Sequence, residues 1–259
     1  MYGLGVNRLG NQNTADPIAS LFSSGAEGVW YDPSDLSTMF QISDGTTPAV
    51  VGQPVGYIRD KSGNGNHAIQ ATSTKRPVLA VENGRYYLDF DGTDDTLQNA
   101  AIDFSSKDSI SVFTAVTKTG TDDNQNVLEL SANVGSNNGA FRLLCTSGEL
   151  WRFIAKGTSS ITLSSDAVSD PDTSVLSGNA DISSPVTTFR RNGTQEATTT
   201  NTLGDGNFGN YVLNVGSRSG NAAYLNGRVY GVVITDENLS TSQTVTVEAY
   251  LARKSGVTI

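Results

Sequence analysis

Apolar and polar positions alternate along most of this chain in short runs, and clusters of Gly, Asn, Asp and Ser separate the runs. A period of two is the mark of a strand with one buried face. Ser109–Thr117 is the clearest case. Ile110 and Val112 fall on one face and Phe113 and Ala115 on the other, which predicts a central strand. Asn126–Leu130, Ala140–Cys145 and Leu150–Ala155 predict an antiparallel succession, with turns at Asn137-Asn138-Gly139 and Ser147-Gly148. Val175-Leu176 and Val186–Arg190 follow, and Asn192-Gly193 is a strong hairpin signal. Tyr211–Val215 and Ala222–Ile234 read as closing strands, and Gly28–Tyr31, Val55–Ile58, His67–Gln70, Arg76–Val81 and Tyr86–Phe90 as the front ones. Asp32, ahead of Pro33, is a candidate cap for a helical turn. From Ser240 to Ser255 the period becomes helical. Ser240 or Thr241 caps the start, Val245, Glu248, Ala249, Leu251 and Ala252 share a face, Arg253 and Lys254 suit the last turn, and Gly256 stops it. The expected fold class is all-β with a short C-terminal helix.

One stretch organises the rest. Asp60-Lys-Ser-Gly-Asn-Gly-Asn66 followed by His67-Ala68, and then Leu88-Asp-Phe-Asp-Gly-Thr-Asp-Asp-Thr-Leu97, are two turn clusters rich in residues that tolerate positive φ. This pair resembles the front half of a concanavalin A-like lectin/glucanase domain of the laminin-G-like kind. Phe189–Thr194, Leu213–Ser217, Leu225–Ile234 and Glu248–Ala252 resemble its back half. The resemblance runs from about residue 27 to 259 and implies a jelly-roll β-sandwich. Trp30–Phe40, the Gly45–Pro48 turn and Val51–Gly56 are similar to a segment frequent in proteins of tailed bacteriophages and prophages. That likeness implies a virion protein, as capsid decoration, head fibre or tail component. Its implied partners are copies of itself, neighbouring virion proteins and a host-surface glycan. One fold hosts many functions, so the fold leaves a glycan-binding adhesin and a glycan-degrading enzyme as alternatives.

Residues 1–26 lack the alternation of the rest. They read as an N-terminal arm, either a frayed end or an attachment and oligomerisation segment that folding does not need. Ile18, Leu21 and Phe22 form a small apolar patch suited to docking on a partner.

Composition narrows the partners. The net charge is −9 over 259 residues, a sign that repels nucleic acid and anionic membranes. Hydrophobic residues are 37% of the chain, and Gly 27 against Pro 7 suits many tight turns. The single cysteine, Cys145, sits in an apolar run, which predicts a buried small hydrophobe and no internal disulfide. The first residues show no charged segment followed by an apolar one, so neither a signal peptide nor a membrane span is expected.

For catalysis, glycosidases of this fold place two carboxyls on one strand. None of Glu27, Glu82, Glu129, Glu149, Glu196, Glu237 and Glu248 has an acid two positions on, so no catalytic residue and no cofactor is assigned. Asp89 and Asp91 share a strand face but run into a turn. His67 has no nucleophile or second histidine at working spacing and reads as part of its turn. Asp91, Asp94 and Asp95 are either calcium ligands or turn formers. Sugar binding needs an aromatic platform beside amides. Tyr57, Tyr86, Trp151, Tyr211 and Tyr224 are candidates, with Trp30 and Trp151 assigned to the core.

Overall fold

The computed structural model describes residues 16–120, 124–131, 133–184 and 186–259. A helical turn α1 (Ala19–Phe22) precedes β1 (Gly28–Tyr31), β2 (Met39–Phe40), β3 (Tyr57–Ile58), β4 (Ala68–Ile69), β5 (Val78–Glu82) and β6 (Arg85–Asp91). Then come β7 (Leu97–Asp103), β8 (Ser109–Lys118), β9 (Gln125–Leu130), β10 (Ala140–Cys145), β11 (Leu150–Lys156) and β12 (Ser160–Ala167). The chain closes with β13 (Asp172–Asp181), β14 (Thr187–Arg191), β15 (Thr194–Thr199), β16 (Asn210–Val215), β17 (Asn226–Thr235) and the helix α2 (Thr241–Ser255).

The strands form two antiparallel sheets. The first has eight strands in the order β15-β14-β13-β8-β17-β6-β5, and β1 pairs with the free half of β17 beside β6. The second has nine, β12-β11-β10-β9-β16-β7-β4-β3-β2. Their inner faces bury one core. Ile110, Val112 and Val116 meet Leu128, Leu130, Phe141, Leu143, Trp151 and Phe153 there. The opposite residues of β8, Phe113 and Ala115, enter a second core under α2, with Trp30, Val233, Val247, Tyr250 and Leu251. The eight-stranded sheet is therefore a middle layer, buried on both sides, where the apolar content of 109–117 predicts a central strand buried on at least one.

Local signals explain the ends of the elements. Asn192 (φ 50°) and Gly193 (φ 77°) both take the left-handed conformation a two-residue hairpin demands, and join β14 to β15. Ser240 and Gln243 make a reciprocal capping box at the start of α2, and Gly256 (φ 80°) ends it. Val245, expected on the buried face of α2, is exposed; the buried face is Thr244, Val247, Glu248 and Leu251. No helix starts at Asp32. Asp35 caps a short 3-10 turn, Leu36–Thr38, by accepting from the Ser37 N–H. Strand β7 breaks the period of two, with Ala100 and Ala101 both exposed and Asn99 buried, and β12 alternates exposed Ser160 and Thr162 with buried Ile161 and Leu163. Among the described residues no helix is long and apolar enough to cross a membrane.

The apolar patch of the N-terminal arm is covered by this chain itself. Ile18 is fully buried, and Leu21 and Phe22 nearly so, in the second core with Trp30, Val247 and Tyr250. Residues 16–26 thus pack onto the sandwich instead of offering the patch to a partner. The expectations for residues 1–15 lie outside the described residues.

Candidate functional site

The turn that organises the sequence also organises the structure. Asp60 is buried, and its carboxylate accepts from the backbone N–H groups of Trp30, Ser62 and Asn66 at 2.9, 2.9 and 3.0 Å. The side chains of Asn64 and Asn66 donate to the carbonyl of Gly28, clamping the turn to β1. A Cβ on Gly28 would lie 1.9 Å from the Ile234 carbonyl oxygen, so only glycine permits this approach to β17. His67 Nδ1 accepts from the Asp60 N–H at 3.0 Å, which fixes it as a turn residue.

A second network ties α2 to β1. Asp32 Oδ2 receives Lys61 Nζ (3.1 Å), Lys254 Nζ (3.2 Å) and the Tyr250 hydroxyl (2.8 Å), and Oδ1 receives Ser34. Burial pushes the Asp32 carboxyl up, but the Ser34 bond, the Lys254 charge, the Tyr250 bond and the Lys61 charge outweigh it and hold the pKa at about 2. Further along the helix, buried Glu248 accepts from Arg190 Nε at 2.8 Å and from Ser177 at 2.6 Å. These contacts leave the outer face of the eight-stranded sheet covered by α1 and α2 through most of its centre.

Among the described residues no helix covers the outer face of the nine-stranded sheet, although Arg142, Glu129 and Asn214 at its centre are buried. The strand register sets one row across it: Thr162, Ile154, Arg142, Glu129, Asn214, Gln98, Ile69, Tyr57 and Phe40. The row is polar at its centre and apolar at one end, where Ile69 is 41% exposed and Tyr57 packs edge-on against Phe40. Above Asn214 and Gln98 lies a groove of about 380 Å³, lined by Gln98, Ala101, Ser131, Asn137, Asn210 and Val212 among others. Among the described residues its lining carries no Asp, Glu, His or Cys.

Glu129, fully buried beside the groove, builds its walls. Its two carboxylate oxygens accept from the N–H groups of Val134 (3.1 Å) and Ser219 (3.2 Å), pinning the loops on either side. Asn214 donates to the Glu129 and Ser131 carbonyls and accepts from Gln98 Nε2 at 2.6 Å. The Gln98 Oε1 and the side chain of Asn210 carry amide functions at the groove, the kind of group that reads sugar hydroxyls.

The structure brings together the three predicted calcium ligands. One carboxylate oxygen each from Asp91, Asp94 and Asp95 lies within 4.8 Å of the others. The turn uses part of this set: Asp91 Oδ1 accepts from the Thr93 and Asp94 N–H groups, and Asp95 Oδ2 from the Asp91 N–H. Burial and the Asp91 charge push the Asp95 carboxyl up to about 6. Cys145 is buried in the core and its thiol is pushed up to about 12 by burial, an inert state.

Of the aromatic candidates, Trp151 is fully buried and Trp30 nearly so, as expected for core residues. Tyr211 lines the groove over Gln98 and Asn214, packs against the main core and donates its hydroxyl to the Asn138 carbonyl. Tyr86 packs against the same core, and Tyr224 lines a separate groove with Gly92 and Asn124. Tyr57 alone of the five stands in the outward row beside Ile69 and Gln98.

No family model matches this chain, and no curated protein matches it in sequence. Solved structures do match in shape. Trypanosoma rangeli sialidase aligns over 89% of this chain and 33% of its own, with a TM-score of 0.57 at 11% identity. The binding domain of botulinum neurotoxin serotype G aligns over 75% and 49%, at 0.56 and 11%. A heptameric SAP-like pentraxin from Limulus polyphemus aligns over 65% and 84%, at 0.50 and 14%. The fold is a concanavalin A-like jelly roll. At these identities the likeness speaks for architecture alone. The sandwich with its single closing helix is thus the one expected from the turn clusters at 60–66 and 91–95.

Proposed function

We propose that this chain is a glycan-binding jelly roll without catalytic activity, displayed on a bacteriophage particle as a capsid decoration, head fibre or tail component. The observation that carries the glycan reading is the groove over Gln98 and Asn214, with neutral amides and hydroxyls at its centre and Ile69 and Tyr57 alongside. Such a surface offers hydrogen bonds to hydroxyls and a partly apolar patch for a pyranose face. Hydrolysis by the usual route needs two carboxyls flanking the bond, roughly 5–5.5 Å apart for retention. The carboxylate nearest the groove, Glu129, is committed to two backbone N–H groups instead. The virion setting rests on the likeness of residues 30–66 to tailed-phage proteins, and it brings copies of this chain and neighbouring virion proteins as partners.

Two measurements test the proposal. Glycan-array binding by the purified chain, with and without EDTA, tests adhesion; a clean negative against bacterial envelope glycans overturns it. Mass spectrometry of purified particles tests the setting, and absence of the chain from particles overturns that part.

A further inference from the structure

The outer face of the nine-stranded sheet differs in charge from the protein as a whole. The chain carries a net −9, yet this face gathers Arg142, Arg152, Lys156 and Arg218. The register places them. Arg142 pairs with Ile154 on β11, and Arg152 and Lys156 flank Ile154 two residues away on the same face. Along a strand that puts the two outer cations about 14 Å apart, with Arg142 one strand, about 5 Å, to the side. Arg218 comes from the loop beside the groove. It is close enough that its charge, after burial and against the pull of Glu129, helps depress the pKa of Arg142.

Among the described residues none of these four side chains has a carboxylate within 4.0 Å; the ion pairs all lie elsewhere. Their hydrogen bonds go to neutral acceptors. Arg142 Nε donates to Asn126, Arg152 Nε to Ser164 (3.2 Å), Lys156 Nζ to the Gly135 carbonyl (2.8 Å) and Arg218 Nη2 to Asn133 (3.0 Å). Glu129, directly across from Arg142, is occupied by the Val134 and Ser219 N–H groups. The charge of Glu129 offsets that of Arg142 in part, and an anion placed among the four cations recovers the remaining cost of gathering them.

We propose that the glycan held on this face is acidic, with a carboxylate or sulfate group reaching the Arg142–Arg152–Arg218 cluster while a neighbouring sugar occupies the groove. This rests on the glycan reading of the groove. The spacing suits it: Arg142 is two strands, about 10 Å, from Asn214 at the groove floor, the scale of a short oligosaccharide. Guanidinium groups match the geometry of carboxylate and sulfate oxygens. A nucleic acid shares the charge but not the fit. The patch is small, the protein's long-range field is negative, and the partly exposed aromatic of the row, Tyr57, stands at the end away from the arginines.

The experiment is a titration of the full chain with four probes: an oligogalacturonate, a heparin-derived hexasaccharide, maltohexaose and an oligothymidylate. The acidic saccharides are expected to bind at least about ten-fold more tightly than maltohexaose. Raising salt from about 50 to about 500 mM should weaken them selectively. Tighter binding of the oligogalacturonate assigns the anion as a carboxylate, and tighter binding of the heparin fragment, which carries both groups, shows that sulfate adds to it. Arg152→Gln and Arg218→Gln are each expected to lower acidic-glycan affinity about five- to ten-fold and leave the melting temperature unchanged. Arg152→Gln is the decisive variant, because the internal partner of Arg152 is Ser164, whereas Arg218 also holds Asn133 in a groove wall. Maltohexaose binding as well as the acidic probes, without salt dependence, leaves the groove reading intact and overturns the acidic one. No binding by any saccharide overturns both. Tighter binding of the oligothymidylate reassigns the face to nucleic acid.

Discussion

The two sheets of this protein present opposite outer faces. Behind the eight-stranded sheet, Phe113, Ala115, Val233 and Trp30 are sealed by α1 and α2, and the charges there are neutralised in pairs, Asp32 with Lys61 and Lys254, Glu248 with Arg190. Behind the nine-stranded sheet, amides, hydroxyls and a cluster of cations bonded to neutral acceptors surround a groove, Arg152 and Arg218 half-buried and Arg142 and Lys156 buried. The contrast teaches where stability and where recognition reside. Buried charges are costly unless paired, so a face covered by a helix must settle its charges internally. A face left open is free to keep its charges for a ligand.

The largest expected effect comes from breaking the covered face. Leu251 is fully buried between α2 and the sheet. Leu251→Ala should cost about 3 kcal/mol, read as a lower midpoint in urea with an unchanged slope. A loss under about 1 kcal/mol would mean that α2 is not an integral layer.

Asp32→Asn comes next. With a folded pKa of about 2 against 3.8, the Asp32 carboxylate contributes stability that is complete above pH ~4 and drains away as the pH falls toward 2. The variant should be less stable at pH 7 by on the order of 2 kcal/mol, and the gap should close near pH 2. A gap independent of pH would contradict the network.

Asp95 has the opposite sign. Its folded pKa is raised to about 6, so ionisation costs stability above pH 6, and the cost fades as the pH falls toward 4. Asp95→Asn should melt higher than the parent at about pH 8 and equally at about pH 4. Calcium that raises the parent's melting temperature, but not the variant's, makes Asp91, Asp94 and Asp95 a cation site. Indifference to calcium and to chelator leaves them as turn formers.

The smallest effect on stability is on the open face. Asn210→Ala, at an exposed position of the groove lining, should change stability by less than about 0.5 kcal/mol, as surface substitutions do, yet weaken glycan binding. A large stability loss with intact binding would invert the comparison.

The covered layer was only partly legible in the sequence. The double apolar pattern of 109–117 announced a central strand buried on at least one side, and Ser240 and Gly256 announced a C-terminal helix. The role of Ile18, Leu21 and Phe22 was not legible, because their partners Val247 and Tyr250 lie more than two hundred residues away and no local pattern links them. The open face was harder. Gln98, Ser131, Asn137, Asn210 and Asn214 are neutral, unremarkable residues, scattered until antiparallel register sets them side by side. The arginines of the strands likewise sit in apolar runs, as the outward members of Ala140–Cys145 and Leu150–Lys156. Period two marks them as outward, but their gathering depends on which strands pair. Asp91, Asp94 and Asp95, close in sequence, were the cluster that sequence could find.

The most direct test of the central claim is hydrogen exchange with and without the tightest-binding glycan of the titration. The account predicts added protection in residues 97–101, 129–137 and 210–219, around the groove, and none in α2 or residues 16–26. Protection confined to α2, or spread along the 91–95 turn without the groove, would contradict it.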